Sequence, residues 1–458
     1  MRDEQPAKAH NDRNVYILGA GFAAEAGLPL IKDFLNRMRD AAAWLEEQGG
    51  RERELEAIGR ALEFRLRAAA AAHRVPLNVE NVEELFSLAS ASGDPELAKA
   101  MPLAIAATLD YAQANAPLLS DQEYFPIGMF NVPNWTKPAN WKSPPAHILS
   151  SVKSGQLKGQ WYGCPPYEFY LGAMCSYFNN GRPDRRDTII TFNYDTLVEE
   201  VFRALKIAFN YGLPEDLIDF HDSAEWIKES YSDAKISILK LHGSMNWTAL
   251  LPEEQERFRY RVSSTLFKSL ADKGQLTEEK FLELMSRKAL YVPLQIYANY
   301  EDLRTGTNLS RAPFLVPPTW RKPLSSFLAT VWDSAVAALR TATRVIVLGY
   351  SVPSTDQHVK YLLAAGLQDN ISLRKVFFVN PALAKEETKK QLDERLFGLF
   401  RRELFDQDII TPVPTDIRAF LAGQRKTGEE SYLDRIGRPL KPPGYAGDTS
   451  PWTLMTPF

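Results

Sequence analysis

Apolar residues along the chain alternate between short continuous runs and longer stretches in which they recur at helical spacing. The short runs, several of them rich in β-branched residues, predict strands, and the stretches between them predict helices. The predicted strands are residues 15–18, the run around Ile189 and Ile190, residues 236–241, 345–348 and 376–379, with weaker candidates at 312–318 and near Ile409. The predicted helices cover most of residues 31–115, then 167–178, the residues after Thr196, 325–341 and 355–365. This alternation predicts an α/β fold with a Rossmann-like, doubly wound parallel sheet.

The first predicted strand ends in residues 19–24, Gly-Ala-Gly-Phe-Ala-Ala, which fit the pattern G-x-G-x-x-G/A. In that pattern the glycines let the backbone approach a pyrophosphate at the amino terminus of a helix. The alternative is a tight strand-to-helix turn with no ligand. A dehydrogenase would also carry an acidic residue about 20 residues further on, at the end of a second strand. This chain continues as helix instead, which argues against NAD-dependent dehydrogenation.

The next predicted strand ends at Asn193 and Asp195. Thr196 followed three residues later by Glu199 is a capping-box pattern, which predicts that the helix begins at Thr196. Both polar side chains would then lie on the strand-to-helix turn, at the sheet edge where open α/β proteins bind ligands. Ordinary turn and cap roles for Asn193 and Asp195 are the alternative.

His242 follows another predicted strand and should share this edge with Asn193. An amide that orients a water or a ribose hydroxyl, beside an imidazole that takes a proton near neutral pH, suits the cleavage of a glycosidic bond. A purely structural histidine is the alternative. Two later strand ends carry Gly349, Ser351 and Asn380, whose small side chain, hydroxyl and amide are suited to phosphate or ribose.

Composition narrows the class of protein. The chain has 458 residues, a formal net charge of -3 and two cysteines, Cys164 and Cys175. This charge lacks the basic balance of a nucleic-acid-binding protein, and two cysteines cannot build a disulfide framework or a four-thiolate zinc site. No apolar run approaches the roughly 18 residues of a membrane span, and residues 1–14 do not resemble a secretory signal. We expect a soluble cytoplasmic protein that needs no metal.

Five motifs resemble, in order, those of the SIR2-like (sirtuin-fold) proteins. They are Gly19-Ala20-Gly21-Phe22 with Gly27-Leu28-Pro29, Thr191-Phe192-Asn193-Tyr194-Asp195, Lys240-Leu241-His242-Gly243-Ser244, Leu348-Gly349-Tyr350-Ser351-Val352-Pro353 with Asp356, and Val379-Asn380-Pro381. The branch that the chain looks like is the prokaryotic SIR2-like NAD hydrolases of anti-phage defence systems. We expect one catalytic domain over residues 1–422, with insertions at about 32–187 and 252–311, followed by a Pro/Gly-rich tail at 423–458.

The resemblance implies NAD+ as a substrate and assigns roles to individual residues. The catalytic pair would be Asn193 and His242. The residues implied to contact NAD+ are Gly19, Ala20, Gly21, Phe22, Asp195, Gly349, Ser351 and Asn380. Within this set, residues 19–21 would line the pyrophosphate, Asp195 would lie near the nicotinamide ribose, and Asn380 near the adenosine ribose.

The resulting hypothesis is an NAD+ glycohydrolase that releases nicotinamide and ADP-ribose and so depletes NAD+ in anti-phage abortive infection. Such an enzyme has to be autoinhibited until it is activated. The helical residues 31–115 are therefore expected either to serve oligomerisation or a partner, or to form a plain helical cap over the sheet. The expected partner is a second copy of the chain or a protein of a defence system, such as an ATPase or an Argonaute-like protein. We expect no membrane or direct nucleic-acid binding.

Two departures from the family pattern bear on which reaction, if any, the protein catalyses. Deacylase sirtuins normally carry a four-cysteine zinc module, which two cysteines cannot supply, so deacylation of lysine is disfavoured. Ala23 stands where the family usually has serine, and this leaves a sensor that binds NAD+ or ADP-ribose without turnover as one alternative. The other alternative is a protein ADP-ribosyltransferase, which would pass the same activated ribose to a different acceptor.

Overall fold

The computed structural model describes most of the chain in eight stretches. They are residues 12–114, 167–176, 187–250, 294–306, 311–317, 326–352, 358–422 and 431–435, with isolated positions between 254 and 279. Residues 115–166 of the first predicted insertion, most of residues 252–293 of the second and most of the predicted tail at 423–458 lie outside these residues, so the expectations placed there stay predictions.

Twelve strands are formed by the described residues. They are β1 (Asn14–Leu18), β2 (Thr188–Thr191), β3 (Phe209–Asn210), β4 (Ile218–Phe220), β5 (Ile236–Lys240), β6 (Gly243–Ser244), β7 (Trp247–Ala249), β8 (Leu294–Ile296), β9 (Phe314–Leu315), β10 (Arg344–Leu348), β11 (Lys375–Val379) and β12 (Ile410–Val413). Seven of them build one sheet in the order β12-β11-β10-β1-β2-β5-β3. Every neighbouring pair in this sheet is parallel. The predicted doubly wound α/β fold is confirmed.

The centre of the sheet is apolar on both faces, since all five residues of β1 and all five of β10 are buried. This explains why the strands appear in the sequence as continuous apolar runs rather than as alternating ones. From β1 the chain builds outward through β2 and β5 on one side, and then returns to build β10, β11 and β12 on the other. The boundary between β1 and β10 is therefore the point where the strand order reverses, and ligands of open α/β sheets bind at such a point.

The helices connect and cover these strands. They are α1 (Ala20–Ala23), α2 (Phe34–Gln48), α3 (Glu52–Ala72), α4 (Val82–Ala91), α5 (Pro95–Ala114), α6 (Tyr167–Met174), α7 (Leu197–Leu205), α8 (Glu225–Tyr231), α9 (Tyr300–Thr305), α10 (Ser326–Arg340), α11 (His358–Leu367), α12 (Glu386–Leu399), α13 (Arg402–Asp406), α14 (Ile417–Ala422) and α15 (Tyr432–Arg435). Within the described residues, no helix combines the length and the apolar character that crossing a membrane requires.

The helices α2 to α5 pack against one another as a group above the carboxyl edge of the sheet. α5 is apolar on most of its surface and buries a run of residues from Met101 to Leu109, although Pro102 lies inside it. Such a helix needs partners on several sides. α2, α3 and α4 supply them.

Two small sheets accompany the main one, and of their strands only β9, within the candidate at 312–318, was predicted from the sequence. β4, β8 and β7 form a three-stranded sheet, and β6 pairs with β9 in an antiparallel ribbon. Their strands are two or three residues long. A pattern of apolar alternation cannot be recognised over so few positions.

Candidate functional site

A cavity of about 530 Å³ lies at the carboxyl edge of the sheet, at the reversal point between β1 and β10. The segments that follow five strands line it, namely residues 19–21 with 23–24, 192–195, 349–351, 380–381 and 416–417. Its volume lies within the roughly 300–1,000 Å³ typical of small-molecule sites. Among the residues implied to contact NAD+, seven line this cavity, and Phe22 does not.

The turns after β1 and β10 contact each other through glycines. The backbone N–H of Gly21 donates to the carbonyl of Gly349 at 2.9 Å. Gly349 has a φ of +65°, and a Cβ there would lie 2.2 Å from the backbone nitrogen of Phe22. A Cβ on Gly19 would lie 2.6 Å from the Cα of Tyr350. These glycines are therefore required by the contact between two turns, whether or not they also approach a ligand.

Asn193 lines the cavity and is held from two sides. Its backbone N–H donates to Thr191 Oγ1 at 3.1 Å, and its side-chain Nδ2 donates to the carbonyl of Gly19 at 3.1 Å. An amide side chain offers two donors and one acceptor oxygen. Because Nδ2 is bound to Gly19, the orientation of Oδ1 is defined as well. Among the described residues, Oδ1 has no hydrogen-bond donor, so it is available to a ligand or a water in the cavity.

Asp195 lines the same cavity but also caps α7. Its Oδ1 accepts a hydrogen bond from the backbone N–H of Leu197 at 3.0 Å. The helix starts after Thr196 as predicted, yet Thr196 makes no side-chain cap bond, and its hydroxyl instead accepts from Gln113 in α5 at 3.5 Å. The predicted capping box is therefore wrong, because the preceding aspartate already satisfies the free N–H of the first helical turn. Burial raises the pKa of the Asp195 carboxyl, and the Lys240 ammonium opposes that shift.

Lys240 and Glu199 form a buried ion pair behind this turn. Neither residue was predicted to belong to the site. Their side chains are 1% and 2% exposed, and Lys240 Nζ lies 2.9 Å from Glu199 Oε1. Lys240 Nζ also donates to the backbone carbonyl of Asp195. A lysine at the end of a buried strand is unusual unless it is paired, and that was the available signal in the sequence.

His242 is buried and is not one of the residues that line the cavity. Its ring centroid lies 5.3 Å from that of Phe192 and 6.1 Å from that of Tyr194, and both of those residues line the cavity. Phe192 also stacks on Tyr350, with the centroids 4.7 Å apart. The structure thus places Asn193 at the cavity surface, whereas His242 lies behind it, next to the aromatic ring of Phe192.

The remaining residues predicted to contact NAD+ differ in whether their side chains already make contacts within the protein. Asn380 donates from Nδ2 to the carbonyl of Tyr350 at 3.2 Å and accepts from the N–H of Ala382 at 2.9 Å, so its amide holds two turns in place. Ser351 is exposed at the cavity. Phe22 is buried against Tyr167, with a centroid distance of 5.3 Å.

The wall opposite the strand ends is apolar and comes from the helical insertion. Val82 and Phe86 of α4, with Ile105 and Leu109 of α5, supply it. Lys32 is the one lysine or arginine among the described residues that line the cavity. These helices thus cover the cavity, and a role of residues 31–115 in oligomerisation or partner binding stays a prediction.

The fold and the cavity define the class of protein: a Rossmann-like parallel α/β protein with a small-molecule-sized site at the reversal of its strand order. The family model described as SIR2-like domain matches residues 187–397. Residues 187–397 are therefore similar to a SIR2-like domain, and a domain of this kind indicates NAD-dependent activity in general. The matched residues include Asn193, His242, Gly349 and Asn380. The glycine turn after β1 precedes them and joins the same sheet through the pairing of β1 with β2 and β10.

Other comparisons add little to this assignment. A solved structure described as "Structural Basis for the Mechanism and Regulation of Sir2 Enzymes" is 13% identical and covers 85% of this chain and 94% of its own, with a TM-score of 0.28. A likeness at that TM-score supports no conclusion about individual residues. No curated protein matches the sequence significantly. In the part of the chain that the structure describes, no group of three or more His, Cys, Asp or Glu side chains is placed to hold a metal ion.

Proposed function

We propose that this protein is an NAD+ glycohydrolase, which breaks the bond between nicotinamide and ribose to give nicotinamide and ADP-ribose. The observation that carries the proposal is the placement of Asn193. Its amide is fixed to the Gly19 carbonyl while its Oδ1 is available at the cavity, at the reversal of the strand order. An oriented acceptor oxygen at that position suits a water or a ribose hydroxyl.

The cavity suits a dinucleotide in size and in the distribution of polar groups. Polar atoms come from the strand ends, whereas α4 and α5 supply an apolar wall that a nucleobase or nicotinamide ring can contact. The exposed ammonium of Lys32 offers a positive charge for the pyrophosphate. NAD+ supplies the reacting bond itself, whose cleavage expels neutral nicotinamide and leaves positive charge on the ribose.

In this proposal the chain's own residues perform three tasks. Asn193 Oδ1 accepts a hydrogen bond from the attacking water and orients it. The Asp195 carboxylate, when ionised, places negative charge where positive charge develops. His242 takes the proton that the water loses. Because His242 lies next to Phe192 rather than at the cavity surface, we infer that Phe192 shifts when the site is engaged.

The wider role is part of the same proposal and rests on the resemblance of the motifs. Depletion of NAD+ would serve abortive infection, with the enzyme silent until a trigger or a partner acts on it. A His242 ring that is not at the cavity surface suits an enzyme whose resting state is inactive.

Release of nicotinamide from NAD+ by the purified protein, assayed alone and together with its partner proteins, tests the proposal. The wild type should release it, and Asn193→Ala and His242→Ala should each reduce the rate by at least about 100-fold, the lower end for lost proton-transfer and orienting groups. Matched controls are Asn36→Ala and His73→Ala, which change the same residue types at exposed positions of α2 and at the end of α3. The controls should retain wild-type rates.

A second candidate is a sensor that binds NAD+ or ADP-ribose without turnover. The placement of His242 away from the cavity surface favours it, because such a site can bind the nucleotide while the proposed imidazole base is out of reach. Calorimetric binding of NAD+ with no nicotinamide release, in the presence as well as in the absence of partner proteins, would support the sensor. Transfer of labelled ADP-ribose to protein would instead support a transferase.

A further inference from the structure

The buried ion pair of Lys240 and Glu199 lies beside the proposed NAD+ site without lining the cavity. Lys240 is the last residue of β5 and lies opposite Thr191, the last residue of β2, in the parallel register. Its side chain therefore points from one strand end toward the turn that follows the neighbouring strand. That turn carries Asn193 and Asp195.

The ammonium of Lys240 links two parts of this turn. Nζ donates to the backbone carbonyl of Asp195 and to Glu199 Oε1, and Glu199 belongs to the first turn of α7. Tyr211 adds a hydroxyl 3.5 Å from the same Glu199 oxygen. Hydrogen bonds from a charged donor are roughly twice as strong as neutral ones. These hydrogen bonds thus connect the turn of residues 193–195 and the first turn of α7 to the end of β5.

Stability alone is a poor explanation for such a pair. Burying two charges is costly, and replacing a buried pair with apolar residues is often neutral or stabilising. The geometry gives the pair a different use, because the carbonyl that Lys240 binds lies two residues after Asn193. Asn193 itself is held at its other side by Gly19, so the orientation of its Oδ1 depends on both anchors.

We propose that Lys240, held in place by Glu199, is a positioning residue that fixes the turn of residues 193–195 in the productive geometry. This proposal rests on the proposed function, since it assigns Lys240 a purpose in the same site. Lys240 touches neither the cavity nor a substrate, and it acts through Asn193 and Asp195.

The main test replaces both charges together, so that no unpaired charge is left buried. The double variant Lys240→Met/Glu199→Leu should fold, should lower kcat for nicotinamide release by about 100-fold, as for a misplacement of about 1 Å, and should change KM by less than about threefold. A second double variant, Lys240→Gln/Glu199→Gln, keeps two polar side chains and serves if the apolar one does not fold.

The matched control is the buried pair of Arg344 and Asp12, whose charged atoms lie 2.5 Å apart. Arg344 begins β10, at the end of the sheet opposite the cavity. Arg344→Met/Asp12→Leu should leave kcat within about twofold, whatever the change in melting temperature, because neither Arg344 nor Asp12 lines the cavity. A purely structural role of Lys240 would make the two double variants behave alike, and that result would overturn the proposal.

A second measurement does not depend on activity. Hydrogen exchange of a peptide covering residues 192–200, measured by mass spectrometry, reports the N–H of Leu197 that Asp195 binds. It should exchange at least about tenfold faster in the Lys240/Glu199 double variants and unchanged in the control pair. Unchanged exchange would overturn the positioning role even if the wild type is active. If the wild type releases no nicotinamide with or without partner proteins, the proposed hydrolase fails, and faster exchange in the Lys240/Glu199 double variants still supports Lys240 as the residue that fixes this turn.

Discussion

The side-chain amide of Asn193 donates a hydrogen bond to the backbone carbonyl of Gly19, with Nδ2 and O 3.1 Å apart. This bond joins the turn after β2 to the turn after β1 across 174 residues of sequence. It also decides which end of the amide is presented to the cavity. A residue that looks like an ordinary turn asparagine in the sequence thereby becomes an oriented acceptor.

Asn193→Asp provides a sharp test of that bond. Aspartate has nearly the same size, but its carboxylate cannot donate to the Gly19 carbonyl and would place two acceptors face to face. We expect nicotinamide release to fall by at least about 100-fold, with a cooperative unfolding transition retained. Wild-type activity in this variant would show that the orientation of the amide is not required.

Gly349→Ala should destabilise the protein because its Cβ would collide with the turn after β1, 2.2 Å from the nitrogen of Phe22, at a φ of +65°. Backbone strain of this kind costs on the order of 1–3 kcal/mol, to be measured as the free energy of unfolding in urea.

Gly59→Ala is the matched control for that substitution. Gly59 lies in α3, where the added Cβ would meet nothing within 4 Å beyond the adjacent backbone of its own helix. Since alanine is the better helix former, this variant should be equally stable or gain up to about 1 kcal/mol. Equal effects at the two positions would contradict the proposed contact between the turns.

Asp195 should make stability depend on pH. Burial raises the pKa of its carboxyl in the folded protein, whereas the unfolded chain has a value of about 3.9. The folded protein therefore binds this proton more tightly, and the free energy of unfolding should decrease as the pH rises from about 4 through the raised pKa.

Asp195→Asn isolates this contribution, since asparagine keeps an acceptor oxygen for the Leu197 N–H and removes the titration. Urea unfolding at a series of pH values should show a smaller decrease with rising pH in this variant than in the wild type. Asp369→Asn, at an exposed position, should leave the profile unchanged. Identical profiles for the wild type and Asp195→Asn would contradict the assignment.

Phe192→Ala should expose His242 to the cavity, because the Phe192 ring lies against the imidazole and stacks on Tyr350. Carbethoxylation of histidines, followed by peptide mass spectrometry, measures this access. His242 should react faster in the variant, whereas the exposed His73 should react equally in both proteins and serves as the internal standard. An unchanged rate at His242 would show that Phe192 does not limit access to it.

The position of the candidate site could be predicted from local sequence. Continuous apolar runs predict buried parallel strands, and polar residues that follow such runs must lie at the shared carboxyl edge. For this reason Asn193, Asp195, Gly349 and Ser351 were expected together, and all four line one cavity. Their roles in binding and catalysis stay predictions.

The orientation of each side chain could not be predicted in the same way. His242 ends up beside Phe192, and Phe22 packs on Tyr167, through contacts between segments that are distant in sequence. The cap of α7 shows the same limit on a local scale. Thr196 has the right spacing for a capping box, but Asp195 reached the free N–H and Gln113 of α5 took the threonine hydroxyl.

By itself, the sequence determined the class of fold and the edge at which the candidate site lies, because apolar runs and turn residues can be recognised from the local sequence. The tertiary structure alone decided which side chains reach the cavity, which helices cover it, and that Lys240 is bound to the carbonyl of Asp195. Those features depend on close packing between remote segments. Such contacts stabilise the protein only after the chain has brought these segments together.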